Sequence, residues 1–186
     1  MRFDATTPPQ GTLRDWIDAR AERGGTAFVF PETGQTLTWL DLREHCATVA
    51  ADLTAQGIAK SESIAVMHPN GYDGVKALFS VLYGGFRVTM LNLAAGPDAL
   101  GYAMDHSEAR VAFVHASQID VFNQNKPERL GLYAPTGQRG KLHFVSEEDD
   151  ALLMYTSGTT GRPKGVVHTQ SSLLAGGWTV SVAQGL

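Results

Sequence analysis

Between residues 36 and 116, short apolar runs alternate with longer segments in which apolar residues recur every three or four positions. Few folds accommodate that pattern. Ile64-Ala-Val-Met67 is too short for a helix and carries no charge, so it reads as a buried strand. Phe86 to Leu91 and Val111-Ala-Phe-Val114 read as further strands. The segments between them place Leu42, Cys46, Val49, Ala50 and Leu53 on one stripe, and Val75, Leu78, Phe79, Leu82 and Tyr83 on another. Pro97 suits the first position of a third helix, with Leu100, Ala103 and Met104 facing inward. Strand and helix in strict alternation predict an α/β fold, a mostly parallel sheet flanked by helices and joined by right-handed crossovers.

Flanking segments complete the reading. Thr12 with Asp15 forms a capping pattern for a helix running to Arg23, and Thr38 with Asp41 repeats it for the next helix. Thr26 to Phe30, a turn over Glu32 to Gln35, and Thr36-Leu37 predict a small N-terminal hairpin. Gly57 and Gly84-Gly85 stand where helices should stop. Ala151 to Tyr155 and Gly165 to His168 read as strands around a glycine-rich loop, and Ser171 to Val182 as a final helix. Ser117 to Lys141 is polar and reads as a loop with about one helical turn. The chain thus divides into a helix and hairpin (1–35), an α/β core (36–116), an irregular connection (117–146) and a loop-bearing unit (147–186).

The chemistry is concentrated in Thr156-Ser157-Gly158-Thr159-Thr160-Gly161-Arg162-Pro163-Lys164-Gly165. Three glycines let the backbone turn sharply and present its N–H groups to an anion. Thr156, Ser157, Thr159 and Thr160 add hydroxyls, and Lys164 adds a full positive charge. Such donors position the oxygens of a nucleotide's β- and γ-phosphates and balance their charge. A Walker A loop needs Gly-Lys-Ser/Thr at its end. Here Pro163 precedes Lys164 and Gly165 follows it. The G-x-G-x-x-G dinucleotide pattern is absent from the loop, and Ser157 lacks the G-x-S-x-G setting of a nucleophile.

Tyr155 to Gly165 resembles the phosphate-loop signature of the adenylate-forming superfamily, which includes AMP-forming acyl-CoA synthetases, aryl-CoA ligases, luciferases and peptide-synthetase adenylation domains. Weaker similarity lies in Thr36 to Leu42, Ile64 to Asn70, Phe79 to Asn92 and Glu148 to Met154. The resemblance implies that a carboxylic acid is activated with ATP as an acyl-adenylate and then passed to a thiol, usually coenzyme A, with Mg²⁺ accompanying the ATP. Carried over residue by residue, Thr156, Ser157, Gly158, Thr159, Thr160, Gly161 and Lys164 would hold the ATP phosphates. An acyl-CoA synthetase is the leading subtype, with amino- or aryl-acid adenylation as the alternative. No catalytic residue and no metal ligand is assigned within the chain. The family's adenine-contacting, acyl-pocket, ribose-binding and C-terminal motifs do not occur in it. The chain is therefore expected to be an N-terminal portion that does not adenylate alone, or a non-catalytic remnant, and to associate through apolar surface left uncovered. It also departs from the family in lacking a proline before Asn92 and in a short region between Val114 and Glu147.

The remaining signals are bland. A net charge of -4 argues against a nucleic-acid partner. A single cysteine, Cys46, excludes an internal disulfide. Neither a secretory h-region nor a run long enough to span a bilayer is visible, so the expected location is the cytoplasm. His68 follows a strand and reads as a turn residue, and His45 as the flank of a core helix. His168 reads as strand-end packing, Glu147 to Asp150 as a solvated acidic turn, and Trp16, Trp39 and Trp178 as core or interface residues.

Overall fold

The structure, a computed structural model, describes residues 4–156 and 163–185. Helix α1 (Leu13–Arg23) starts on a capping box: the Thr12 hydroxyl accepts from the Asp15 amide while the Asp15 carboxylate accepts from the Thr12 amide at 2.8 Å. Strands β1 (Thr26–Phe30) and β2 (Gln35–Thr38) pair antiparallel as a separate ribbon. Thr38 then caps α2 (Trp39–Ala55), whose expected stripe of Leu42, Cys46, Val49, Ala50 and Leu53 is wholly buried.

The α/β core follows as β3 (Ser63–Met67), α3 (Tyr72–Gly84), β4 (Arg87–Met90), α4 (Pro97–His106) and β5 (Val111–Val114). After it come α5 (Ile119–Asn125), β6 (Gly131–Leu132), β7 (Asp150–Thr156), β8 (Lys164–Thr169) and α6 (Gln170–Gln184). The main sheet has the order β6-β5-β3-β4-β7-β8, parallel throughout except for β8.

Every residue of β3 is buried, because this strand has a strand on each side and helices on both faces. Side chains alternate across a strand. Ile64 and Val66 therefore join Ile17, Leu42, Leu53, Val81 and Phe86 in one apolar layer under α1 to α3. Ala65 and Met67 join Leu100, Met104, Phe122 and Leu130 in the other, under α4 and α5. Each fully buried large side chain contributes about 1.5–3 kcal/mol.

The stretch read as an irregular connection, 117–146, is partly regular. A short 3-10 turn (Ala116–Gln118) leads into α5, two turns rather than one, and β6 adds a strand to the sheet beside β5. Phe122 and Leu130 are fully buried and anchor this unit. Their spacing of eight is spread over a helix, a turn and a strand, so no single period reveals it. Residues 133–146 carry no helix or strand and are held by distant partners. The Tyr133 amide donates to Ala112 O, the Gly140 amide to Ala51 O, and Arg14 Nη1 to His143 O at 2.8 Å.

All the strands of the core run parallel, so the carboxyl ends of β3, β4, β5 and β7 share one edge of the sheet. In α/β sheets this edge is where ligands bind. Five exposed apolar residues, Met154, Val166, Val167, Val180 and Val182, lie on the β7–β8–α6 side. Among the described residues, no helix is long and apolar enough to cross a membrane.

Candidate functional site

The β7–β8 hairpin brings the two described ends of the glycine-rich segment, Thr156 and Lys164, to the ligand-binding edge. Its register pairs Tyr155 with Gly165 and Thr156 with Lys164. Two of the seven sequence-predicted residues, Thr156 and Lys164, thus face each other across the mouth of the hairpin, and the Thr156 hydroxyl lies 3.5 Å from Lys164 O. Both are exposed, and Lys164 makes no ion pair among the described residues. Ser157, Gly158, Thr159, Thr160 and Gly161 lie outside the described residues.

A cavity of about 230 Å³ opens beside Thr156. Met90, Leu100 and Ala103 give it an apolar floor, and Asn92, Tyr155 and Thr156 supply polar groups. The first turn of α4 borders it through Ala99 and Leu100, which brings the partial positive charge of a helix N-terminus to the cavity, offset by Asp98 in the same turn. A hydroxyl, an amide side chain and a helix start line the cavity as donors suited to an anion, and Lys164 stands opposite Thr156 in the hairpin register. For Mg²⁺ the fit is poor. Among the described residues no carboxylate lines this cavity, and Asp150 lies at the far end of β7 from Thr156, about 20 Å away along the strand.

The acidic turn has structural partners. Glu147 accepts from the Gly11 amide. Asp149 pairs with Lys60 at 2.9 Å and accepts from the Ser146 amide at 2.8 Å. Burial would raise the Asp149 carboxyl, but these bonds outweigh it and hold the group below the usual carboxylate range. Asp150 lies 3.3 Å from Arg87.

Three features lie outside the glycine-rich segment; His68 reads from sequence as a turn residue, and the other two carry no sequence signal. His68, at the carboxyl end of β3, stands edge-on to His115 at the end of β5, with ring centroids 5.5 Å apart. Its Nδ1 is buried without a partner among the described residues, and burial followed by the neighbouring His115 depresses its basicity. It lines a larger cavity of about 510 Å³ with Phe30, Tyr72, Leu78 and Met90. The signal was available: both histidines directly follow strands that parallel topology makes neighbours. Second, Gln170 is fully buried and ties three helices together, accepting from the Leu13 amide at 3.1 Å and donating to Leu82 O at 3.3 Å. Third, His106 Nδ1 lies 2.9 Å from the Tyr155 hydroxyl, across 49 residues of sequence.

The AMP-binding enzyme family model matches residues 16–185. The chain belongs to the AMP-binding enzyme family. Among curated relatives it is 32% identical to sulfoacetate–CoA ligase of Cupriavidus necator, over 96% of this chain and 39% of that protein. It is 27% identical to 2-succinylbenzoate–CoA ligase of Bacillus licheniformis, over 83% of this chain and 34% of that one. The chain therefore spans between a third and two fifths of the length of these relatives. Among solved structures, VinN superposes with a TM-score of 0.82 at 21% identity, over 97% of this chain and 49% of VinN. The N-terminal domain of FACL13 from Mycobacterium tuberculosis superposes with a TM-score of 0.74 at 23% identity, over 86% of this chain and 44% of that domain. These likenesses establish the fold alone: this member of the AMP-binding family shares the fold of VinN and of the N-terminal domain of FACL13.

Proposed function

We propose that this chain supplies the ATP-phosphate cradle of an AMP-forming acid–thiol ligase of the acyl-CoA synthetase type. In that reaction the substrate carboxylate attacks the α-phosphorus of ATP and pyrophosphate leaves. The thiol of coenzyme A then displaces AMP from the acyl-adenylate to give a thioester. Thr156, Ser157, Gly158, Thr159, Thr160, Gly161 and Lys164 hold the β- and γ-phosphates, so that the departing pyrophosphate carries its charge into a ring of donors. The observation that carries this reading is the placement of Thr156 and Lys164 opposite each other at the ligand-binding edge of a parallel sheet. Mg²⁺, which would screen phosphate charge, finds no carboxylate among the described residues of the cavity beside Thr156, and no step here is routed through it. The cytoplasm is the proposed location, and 147–186 the proposed nucleotide-holding unit.

The test is ATP–pyrophosphate exchange across a panel of aliphatic, aromatic and amino carboxylic acids. Acid-dependent exchange abolished by Lys164→Ala supports the ligase. The acids that promote exchange decide between acyl-CoA synthetase chemistry and adenylation of an amino or aryl acid. A second reading is a phosphate-binding module without catalysis of its own. It predicts ATP binding with no exchange for any acid.

A further inference from the structure

The far half of the β7–β8 hairpin has little to hold it. Strand β7 pairs with β4 only through Val88–Leu152 and Thr89–Leu153. Beyond Leu153, residues 154–156 have β8 as their strand partner, and the order of the sheet leaves β8 at its edge. An isolated two-stranded ribbon is marginal in water. Met154, Val166 and Val167 are exposed, so apolar packing on that ribbon is thin.

One side chain ties the ribbon back to the body of the fold. Tyr155 reaches over α4, where His106 Nδ1 meets its hydroxyl at 2.9 Å. The His106 ring stands edge-on to Tyr155 at 5.7 Å and stacks on Tyr102 at 5.2 Å. Tyr102 in turn meets Tyr155 edge-on at 6.2 Å. Edge-to-face and offset-stacked pairs in this range add attraction beyond their buried area. The opposite strand is cut to fit. A Cβ at Gly165 would lie 3.1 Å from Leu153 Cδ1, 3.6 Å from Tyr155 Cε1 and 3.9 Å from His106 Cε1. The contact to Leu153 is tight and those to Tyr155 and His106 are ordinary van der Waals contacts, so a small residue at 165 packs directly against the clamp. Tyr155 and Gly165 are register partners, one step before Thr156 and Lys164.

We propose that Tyr102, His106 and Tyr155 form an aromatic clamp that sets the separation and orientation of Thr156 and Lys164, making His106 a positioning residue for ATP binding. The inference rests on the phosphate-cradle reading above. The clamp touches no phosphate. It acts by keeping the two anchor points ordered before the nucleotide arrives, which removes an ordering cost from binding. His106 is exposed, so its replacement leaves the core intact.

The experiment compares His106→Phe, Tyr155→Phe, the double variant and His106→Asn in the full chain. The asparagine amide can occupy the place of Nδ1 and keep a bond to the Tyr155 hydroxyl. Two quantities are read: ATP affinity by calorimetry, and amide hydrogen exchange at 154–156 and 164–166 without nucleotide. Loss of one hydrogen bond predicts ATP affinity weaker by about threefold to tenfold in each single variant. The double variant should be no worse than either, because both remove the same bond. Exchange in the ribbon should rise by a similar factor, and His106→Asn should restore most of both effects. Unchanged exchange in both single variants overturns the clamp, as do additive losses in the double variant or the absence of rescue by asparagine. Failure of the underlying reading looks different. If Lys164→Ala binds ATP as tightly as the parent chain, the phosphate cradle is wrong, while the exchange data still decide whether Tyr155 and His106 hold the ribbon.

Discussion

Replacing Asp52 by asparagine should loosen the segment 133–138 and lower stability by about 2 kcal/mol. Asp52 sits on α2 with 3% of its surface exposed. One carboxylate oxygen accepts from the Thr136 amide at 3.0 Å and its hydroxyl at 2.5 Å. The other accepts from Gln56 Nε2 at 2.6 Å and the Tyr133 hydroxyl at 3.1 Å. In Asp52→Asn one oxygen becomes an NH₂. If the amide oxygen keeps Thr136, the NH₂ opposes Gln56 Nε2, which also donates to Ala134 O and cannot turn without losing that bond. One bond is lost, and the rest fall from charge-assisted strength, about 1.5–3 kcal/mol, to the neutral range, about 0.5–1.5 kcal/mol. Because these terms do not add, the net is about 2 kcal/mol, a fall in Tm of about 4–8 °C for a chain of this size.

The pH dependence gives a second readout of the same carboxylate. Burial would raise the Asp52 carboxyl, but bonds from Thr136, Gln56 and Tyr133 outweigh it, so its folded pKa lies below the ordinary value. A depressed carboxylate stabilises the fold above the unfolded pKa of about 3.9, and that contribution is lost as pH falls through the folded value. Asparagine cannot titrate, so the gap in Tm between parent and variant should close as pH falls below about 4. Trypsin should also cut faster after the exposed Arg139, next to the freed segment. A Tm change under about 1 °C, or a gap that persists undiminished at low pH, would refute the assignment of the clip to this carboxylate.

Two further expectations follow from buried titratable groups. Burial, with a smaller contribution from Lys76, holds the His45 imidazole at about 4. Its NMR resonances should therefore stay in the neutral position down to about pH 4. Between the unfolded value of about 6.5 and pH 4 the unfolded chain binds the extra proton, so this group should make stability fall as pH drops. Burial pushes the Cys46 thiol up to about 12, against the Ser80 contact that lowers it. A thiol reagent at pH 8 should label Cys46 only in denaturant, and rapid labelling of the native chain would contradict the packing of α2 against α3.

The regular parts of this fold were legible because local and tertiary signals agree in them. The stripe on α2, the capping pairs at Thr12 and Thr38, and the apolar run of β3 each announce in sequence what the structure uses. Residues 133–146 were not legible, since their conformation is fixed by Asp52, Arg14 and Ala51, each more than seventy residues away. The short strand β6 is induced by the open edge of β5 and has no pattern of its own. At the candidate site, sequence spacing singled out Thr156 and Lys164, but register was needed to set them face to face. The contact between His106 and Tyr155 depends on how α4 crosses β7, a relation that no local motif encodes.

The most direct test of the phosphate cradle is a calorimetric titration with ATP of the parent chain and of Lys164→Ala, at low and at physiological salt. Loss of one charge-assisted contact to phosphate should weaken binding on the order of tenfold to a hundredfold, with the difference shrinking as salt rises because Lys164 is exposed. Equal affinities at both salt concentrations would contradict the assignment of this hairpin to the nucleotide.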